Sequence, residues 1–204
     1  MITERRLEKF RQVAAQRQQI TVIIENVHDP HNIGAIMRTC DAVGIQEIFI
    51  LYTENRLSEE RLDQVKSSAT GVRKWLDIHF FREPKECFAA VRKNYSKIWA
   101  THLGNESVSL YEVDLTKNVA LLFGNEHDGI SETALSFADG NFIIPQHGMV
   151  GSLNISVACA ISLFEALRQR EAKDMYSTEL SESDTKRRGI ADNYIKIHKA
   201  RYNL

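Results

Sequence analysis

The sequence predicts an α/β fold built on a parallel sheet, and three observations carry that prediction. Strand-length runs of apolar and β-branched residues recur along the chain, at Ile20–Ile24, Glu47–Leu51, Lys97–Thr101 and Val119–Phe123. Segments with apolar residues at helical spacing separate them. No internal repeat or low-complexity tract points to another architecture. Strands that alternate with helices join through crossovers, and crossovers make a parallel sheet.

Taken in order, residues 3–17 lack Gly and Pro and read as a helix of strong formers. Ile20–Ile24 is a buried strand. Asp29-Pro30 is turn chemistry. Ile33, Ile36, Met37 and Cys40 then form a helical apolar stripe closed by Gly44 as a C-cap. Glu47–Leu51 is the next strand, and residues 58–67 read as a helix. Trp75–Phe80 is a short strand, Lys85–Asn94 a helix, and Lys97–Thr101 and Val119–Phe123 are strands. Ser131–Ala138 is a helix with Ser131 as its N-cap. Phe142–Ile144 is a short strand ended by Pro145, and Leu153–Arg170 is a long, largely apolar helix. Residues 171–183 form a Ser/Glu-rich linker. Residues 184–201 form a last helix with Ile190, Tyr194 and Ile197 on one stripe.

A chain of 204 residues, 43% hydrophobic and 26% charged, has the makeup of a soluble domain with a sizeable core. Three scattered cysteines, with no CxxC pair, argue against a disulfide framework or structural zinc and for a reducing compartment. The charged N-terminus lacks the apolar core of a signal peptide, and no apolar run is long enough to span a bilayer. A cytoplasmic location is therefore expected. The net charge of −1 conceals a division: residues 1–20 carry +3, residues 184–204 carry +4, and the body carries −8. Two basic ends on an acidic body suggest an anionic partner held by the ends, although two solvated helices would give the same count.

In a parallel α/β sheet, ligands bind beyond the carboxyl ends of the strands. Three unusual clusters collect in those loops. The first runs from Glu25 to Thr39 and contains Asp29-Pro30-His31-Asn32. Alone, Asn32 reads as an N-cap and Arg38 as a surface arginine. If both were helical, six residues would set them about 120° apart around the axis, so they converge only if Asn32 sits in the turn. His28 and His31 have metal-like spacing, but no third ligand is evident and no metal is expected. The second cluster, Leu121 to Ser131, leads a strand into a turn bounded by Gly124 and Gly129. The glycines have P-loop spacing, but Ile130 replaces the obligatory lysine. No GxGxxG follows a strand either. The third cluster, Ile143 to Ser156, holds Gly148 and Gly151 in a tight loop before a helix that Ser152 or Asn154 caps. An apolar strand end with exposed amides suits a flat ring such as adenine.

Together, in this order and spacing, the three clusters resemble the motifs of the SPOUT methyltransferases. More narrowly they resemble the TrmH branch, the tRNA guanosine 2'-O-methyltransferases. The resemblance rests on Asp-Pro-His-Asn with Ala-Ile-Met-Arg-Thr, on Phe-Gly-Asn-Glu with Gly-Ile-Ser, and on Ile-Pro with Gly-Met-Val-Gly-Ser-Leu-Asn-Ile-Ser-Val-Ala. It implies an N-terminal helical extension over 1–19, a SPOUT domain over 20–170, and a linker and C-terminal helix over 171–204. It also implies a C-terminal trefoil knot, S-adenosylmethionine bound in the knot loops, a tRNA substrate, and a homodimer with composite active sites. Family positions for cofactor contact fall on Thr101, His102, Leu103, Gly104, Leu122, Gly124, Asn125, Ile144, Met149, Ser152 and Leu153. Catalytic positions fall on Asn32, Arg38, Glu126, Ser152 and Asn154.

The chemistry these positions imply is coherent. A ribose 2'-hydroxyl is a poor nucleophile, so positioning and deprotonation carry most of the work. A guanidinium stays protonated, so Arg38 is better read as a clamp on phosphate and on the forming alkoxide than as a base. Arg5, Arg6, Arg11, Arg17, Arg168, Arg170, Lys196 and Lys199, with Tyr202, are expected to hold the RNA backbone in a salt-sensitive, sequence-blind way. Gly34 departs from the serine that TrmH proteins often carry and occurs in ribosomal RNA branches, while the lack of a large N-terminal RNA-binding domain favours tRNA. The alternatives are methylation of ribosomal RNA or another tRNA ribose, and a catalytically silent RNA-binding module. Retention of all five catalytic positions argues against the last.

Overall fold

The computed structural model describes residues 2–54, 71–104 and 106–202. The helix expected over residues 58–67 lies outside them. Seven strands form one sheet: β1 (Ile20–Glu25), β2 (Glu47–Leu51), β3 (Asp77–Phe81), β4 (Lys97–Thr101), β5 (Val108–Ser109), β6 (Val119–Phe123) and β7 (Gly140–Ile143). Their spatial order is β3-β2-β1-β6-β4-β7-β5, and every pairing is parallel. All strands therefore point the same way, and their carboxyl ends share one edge.

Six helices accompany the sheet among the described residues: α1 (Glu4–Ala15), α2 (Pro30–Ala42), α3 (Pro84–Val91), α4 (Glu132–Leu135), α5 (Ile155–Glu171) and α6 (Thr185–Tyr202). β1 and β6 are buried along their whole length because helices cover both faces of the sheet. On one face, Val22, Ile24, Leu121 and Phe123 pack with Ile33, Ile36, Met37 and Cys40 of α2 and with Cys159 and Leu163 of α5. On the other, Ile23, Ala120 and Leu122 pack with Cys87, Phe88 and Val91 of α3 and Ala134 of α4. Each fully buried aliphatic side chain contributes about 1.5–3 kcal/mol. α2 and α3 both begin at a proline, whose missing N–H costs nothing in a first turn.

The end of α2 shows why Gly44 is required. Its φ is +85°, and a Cβ there would lie 2.6 Å from the Gln16 carbonyl oxygen. The Gly44 carbonyl accepts from the Gln18 N–H at 2.8 Å, which ties the end of α2 to the entry of β1.

α1 and α6 pack together at the amino edge of the sheet, around Phe10, Ala14, Ala191 and Tyr194, with Trp75 against them. Two arginines here correct the sequence reading. Arg17 is 3% exposed. It donates to the Tyr194 hydroxyl at 2.7 Å, the Ile45 carbonyl at 2.8 Å and the Asp41 carboxylate at 2.7 Å. Arg170 is 1% exposed and donates to the carbonyls of Leu115, Gln19 and Lys117 and to Oε1 of Gln18. Both side chains are buried and hold elements of the fold together, so neither is presented to an RNA phosphate.

Smaller departures have local causes. The third strand starts at Asp77 because Arg73–Trp75 forms a 3-10 turn. α4 is a single turn, Glu132–Leu135, shorter than the expected Ser131–Ala138. β5 is only two residues long, too short for a periodic signal.

Candidate active site

The loops after β4, β6 and β7 meet over an open cleft of about 780 Å³. Its volume is in the range of small-molecule sites. The cleft floor is apolar, from Phe123, Phe142, Ile144, Leu153 and Ala158, and its rim carries the polar loop residues. Gly148 and Gly151 leave open space where a side chain would project. Leu103, Met149 and Val150 are exposed apolar residues in the same loops. A second cavity of about 470 Å³ lies at the amino edge, between α6 and the strand entries, away from these loops.

The β6 loop is held in shape by its own backbone. Asn125 and Gly129 exchange backbone hydrogen bonds at 3.0 Å, and Oδ1 of Asn125 accepts from the N–H groups of His127 and Asp128. Gly129 has φ +70°, and a Cβ on Gly124 would lie 2.1 Å from the Gly129 carbonyl oxygen. Both positions thus require glycine. Glu25, missed at the sequence level, anchors this loop from β1. Its carboxylate is 1% exposed and accepts from the Ser131 N–H at 2.9 Å and hydroxyl at 2.6 Å. Ser131 in turn caps α4 by accepting from the Ala134 N–H. The signal was a carboxylate continuing an apolar strand.

The loop after β1 is fixed by Tyr52, whose buried hydroxyl donates to the Val27 carbonyl at 2.7 Å. Burial pushes that phenol's pKa up. The cap of α2 is Asp29, which accepts from the His31 N–H at 2.8 Å. Asn32 therefore sits inside the first turn and is not the cap. Its side chain instead joins three elements. Nδ2 of Asn32 donates to Glu126 in the β6 loop, and Oδ1 accepts from Nδ2 of Asn154 at 3.1 Å. Asn154 is the N-cap of α5, accepting from the N–H and hydroxyl of Ser156.

The structure thus brings Asn32, Glu126 and Asn154 into one hydrogen-bonded chain. Ser152 lines the cleft with eight of the expected cofactor positions in all: Thr101, His102, Leu103, Gly124, Asn125, Ile144, Ser152 and Leu153. Gly104, Leu122 and Met149 are not in its lining. Leu122 is fully buried in β6, where its carbonyl accepts from the Thr101 hydroxyl. Gly104 donates its N–H to the Ser107 hydroxyl, and Met149 points fully into solvent. Arg38 is exposed on α2. With Asn32 inside the helix, the six-residue spacing sets Arg38 about 120° around the axis from Asn32, and Arg38 is not in the lining of the cleft.

Comparison with known proteins agrees with this geometry. Residues 19–164 match the model of the SpoU rRNA Methylase family. The tRNA (guanosine(18)-2'-O)-methyltransferase of Thermus thermophilus is 38% identical over 191 residues, which is 93% of this chain and 96% of the relative. The crystal structure of the A. aeolicus TrmH/SpoU tRNA modifying enzyme superimposes with a TM-score of 0.79 at 36% identity, covering 95% of this chain and 97% of the other. The AdoMet-bound rRNA methyltransferase from Sinorhizobium meliloti gives a TM-score of 0.60 at 31% identity, over 79% of this chain and 59% of the other. With the matched region spanning β1 to α5 and every loop of the cleft, the chain belongs to the SpoU methylase family.

Proposed function

We propose that this protein transfers a methyl group from S-adenosylmethionine to the ribose 2'-hydroxyl of a tRNA guanosine, the D-loop residue at position 18 named for its relative. The observation that carries the reading is the extent of the match. The tRNA enzyme from Thermus thermophilus aligns over nearly the whole of both chains, 93% of this one and 96% of the relative. The likeness to the ribosomal RNA enzyme covers 59% of that larger protein. The test is nucleoside mass spectrometry of tRNA from a strain lacking this protein. Loss of 2'-O-methylguanosine is expected, and its persistence in tRNA would overturn the reading.

The cleft suits the methyl donor: an apolar floor for a flat base, glycine-lined space above it, and polar loop groups at the rim. Thr101, His102, Leu103, Gly124, Asn125, Ile144, Ser152 and Leu153 would hold it, with Gly104, Leu122 and Met149 supporting those loops. Bound there, S-adenosylmethionine supplies an electrophilic methyl group on a sulfonium. The chain's own residues do the positioning. The Asn32 amide is held at both ends, by Glu126 and Asn154, so the three elements around the cleft keep a fixed spacing. Ser152 adds a hydroxyl at the rim. Arg38 clamps the substrate phosphate and stabilises the forming alkoxide.

In this reading the active site is completed across a homodimer, which lets Arg38 meet the partner's cleft, since it does not line its own. The half-exposed apolar stripe of Val157 and Phe164 on α5 supports such a pairing. A C-terminal trefoil knot is part of the proposal, supported by the insertion of β7 between β4 and β5. A cytoplasmic location follows from the tRNA substrate, and among the described residues no helix is long and apolar enough to cross a membrane. Exposed Arg5, Arg6, Arg11, Arg168, Lys196 and Lys199 remain the proposed RNA contacts. Two of them already face carboxylates. Arg168 pairs with Glu165 at 2.7 Å, and Arg11 lies 3.5 Å from Glu4.

A further inference from the structure

Three cations and an imidazole share one aromatic cluster where α1, the Arg73–Trp75 turn and α6 meet. The Arg6 guanidinium lies 5.1 Å from the Phe10 ring centroid, the Lys74 ammonium 4.8 Å from that of Trp75, and the Arg201 guanidinium 5.8 Å from that of Tyr202. The His198 ring is 5.6 Å from Phe10 and 4.8 Å from Tyr202. Phe10 and Trp75 are themselves 5.6 Å apart. Among the described residues, no carboxylate forms an ion pair with Arg6, Lys74, His198 or Arg201. Aromatic faces offset part of the cost of gathering like charges, and an anion offsets the rest.

We propose that Arg6, Lys74, Arg201 and His198 form a proton-linked clamp for a phosphodiester of the RNA backbone, with His198 taking up a proton as the phosphate enters. The inference rests on the tRNA reading and adds Lys74, Arg201 and His198 to its RNA contacts. It also adds a pH dependence. The charged and titratable groups facing His198 are Arg6 of α1, Lys74 of the turn, and Arg201 and Tyr202 of α6. Partial burial and the three cations hold the imidazole's pKa below its ordinary 6.5 in the free protein. A phosphate among them raises it. RNA affinity therefore grows as pH falls through the interval between the raised bound value and the depressed free one, and levels off below.

The test is tRNA binding to the full chain over about pH 5.5–8 and a salt series. Wild type is expected to bind several-fold tighter at about pH 6 than at about pH 7.5. His198→Gln is expected to flatten that profile. An Arg6→Gln/Arg201→Gln double variant is expected to lose about tenfold in affinity and roughly 1–2 units of salt slope. S-Adenosylmethionine affinity should be unchanged in both variants, and Arg6→Lys/Arg201→Lys should restore most of the RNA binding. A His198→Gln profile that overlays wild type, with affinity of the double variant within about twofold, overturns the clamp. So does stabilisation of the wild type by millimolar inorganic phosphate when both variants bind tRNA normally, since the cluster then serves a free anion. Nucleoside analysis of unmodified tRNA incubated with wild type and S-adenosylmethionine separates the two readings. Absence of 2'-O-methylguanosine sinks the enzymatic proposal, whereas its formation with unchanged variant affinities sinks only the clamp.

Discussion

The buried arginines at the amino edge of the sheet and the polar groups at the rim of the cleft serve opposite ends. At the amino edge, two arginines are spent on the fold: Arg17 and Arg170 are buried and bonded to carbonyls, a hydroxyl and a carboxylate. At the carboxyl edge polar side chains are held but left accessible: Asn32 and Asn154 keep fixed partners at the rim of an open cleft, and Arg38 stays exposed. A buried charge must find its partners inside the protein, while an exposed one is available to a ligand. Residue type does not separate a structural arginine from a functional one; the environment does.

The largest effect expected at the carboxyl edge is from Arg38→Ala. Turnover should fall at least about 100-fold, as for loss of a transition-state charge stabiliser. S-Adenosylmethionine affinity by calorimetry should stay within about twofold. Near-normal turnover would remove Arg38 from the mechanism.

The glycines allow a matched contrast. Gly124→Ala forces a methyl group onto the Gly129 carbonyl, and Gly44→Ala forces one onto the Gln16 carbonyl. Each should lower stability by about 1–3 kcal/mol in denaturant titration. Only Gly124→Ala should also weaken S-adenosylmethionine binding, by about tenfold or more. Equal losses of cofactor affinity in the two variants would erase the distinction between the edges.

Arg170→Met should cost about 2–4 kcal/mol, because it leaves buried carbonyls of Leu115, Gln19 and Lys117 without a donor. Its tRNA affinity, measured where it remains folded, should match wild type. A selective loss of RNA binding would return Arg170 to the RNA surface.

The smallest effect concerns Glu47 and His79 at the amino edge. Burial alone would raise Glu47, but hydrogen bonds from His79 and Tyr95, with Lys186 nearby, hold its carboxyl below the usual 4.5. The hydrogen bond with Glu47 raises His79 above the usual 6.5, against its partial burial. His79 contributes fully below its unfolded value, and its contribution is lost as pH rises through the higher folded one. Glu47 contributes above its unfolded value and loses its part as pH falls through the lower folded one. The pair thus stabilises most between the ordinary values of 4.5 and 6.5. Thermal melts of His79→Gln should lack the decline that wild type shows on the alkaline side of that window.

The sheet was largely legible in advance because its strands are uniform apolar runs. Glu47–Leu51, Lys97–Thr101 and Val119–Phe123 have the bounds that sequence pattern predicts. Covering helices on both faces leave such runs no other place. The site was legible as three clusters, but not their wiring: Asn32 meets Glu126 and Asn154 across 94 and 122 residues, and no local pattern encodes that contact. Arg17 and Arg170 were misread because counting charge cannot register burial. Arg170 nevertheless lies three and seven residues beyond Leu167 and Leu163 on α5, in register with its apolar face.

The pairing of α1 with α6 also bears on how the chain is made. Arg17 and Tyr194 bond across 177 residues, and Phe10 packs on the same tyrosine. During synthesis the first helix leaves the ribosome long before α6 exists, so the part of its Phe10 and Ala14 face that Trp75 does not cover stays open while the sheet assembles. The nascent chain therefore carries an amphipathic helix with part of its apolar face exposed through most of its translation, a state in which chaperones and misassembly compete.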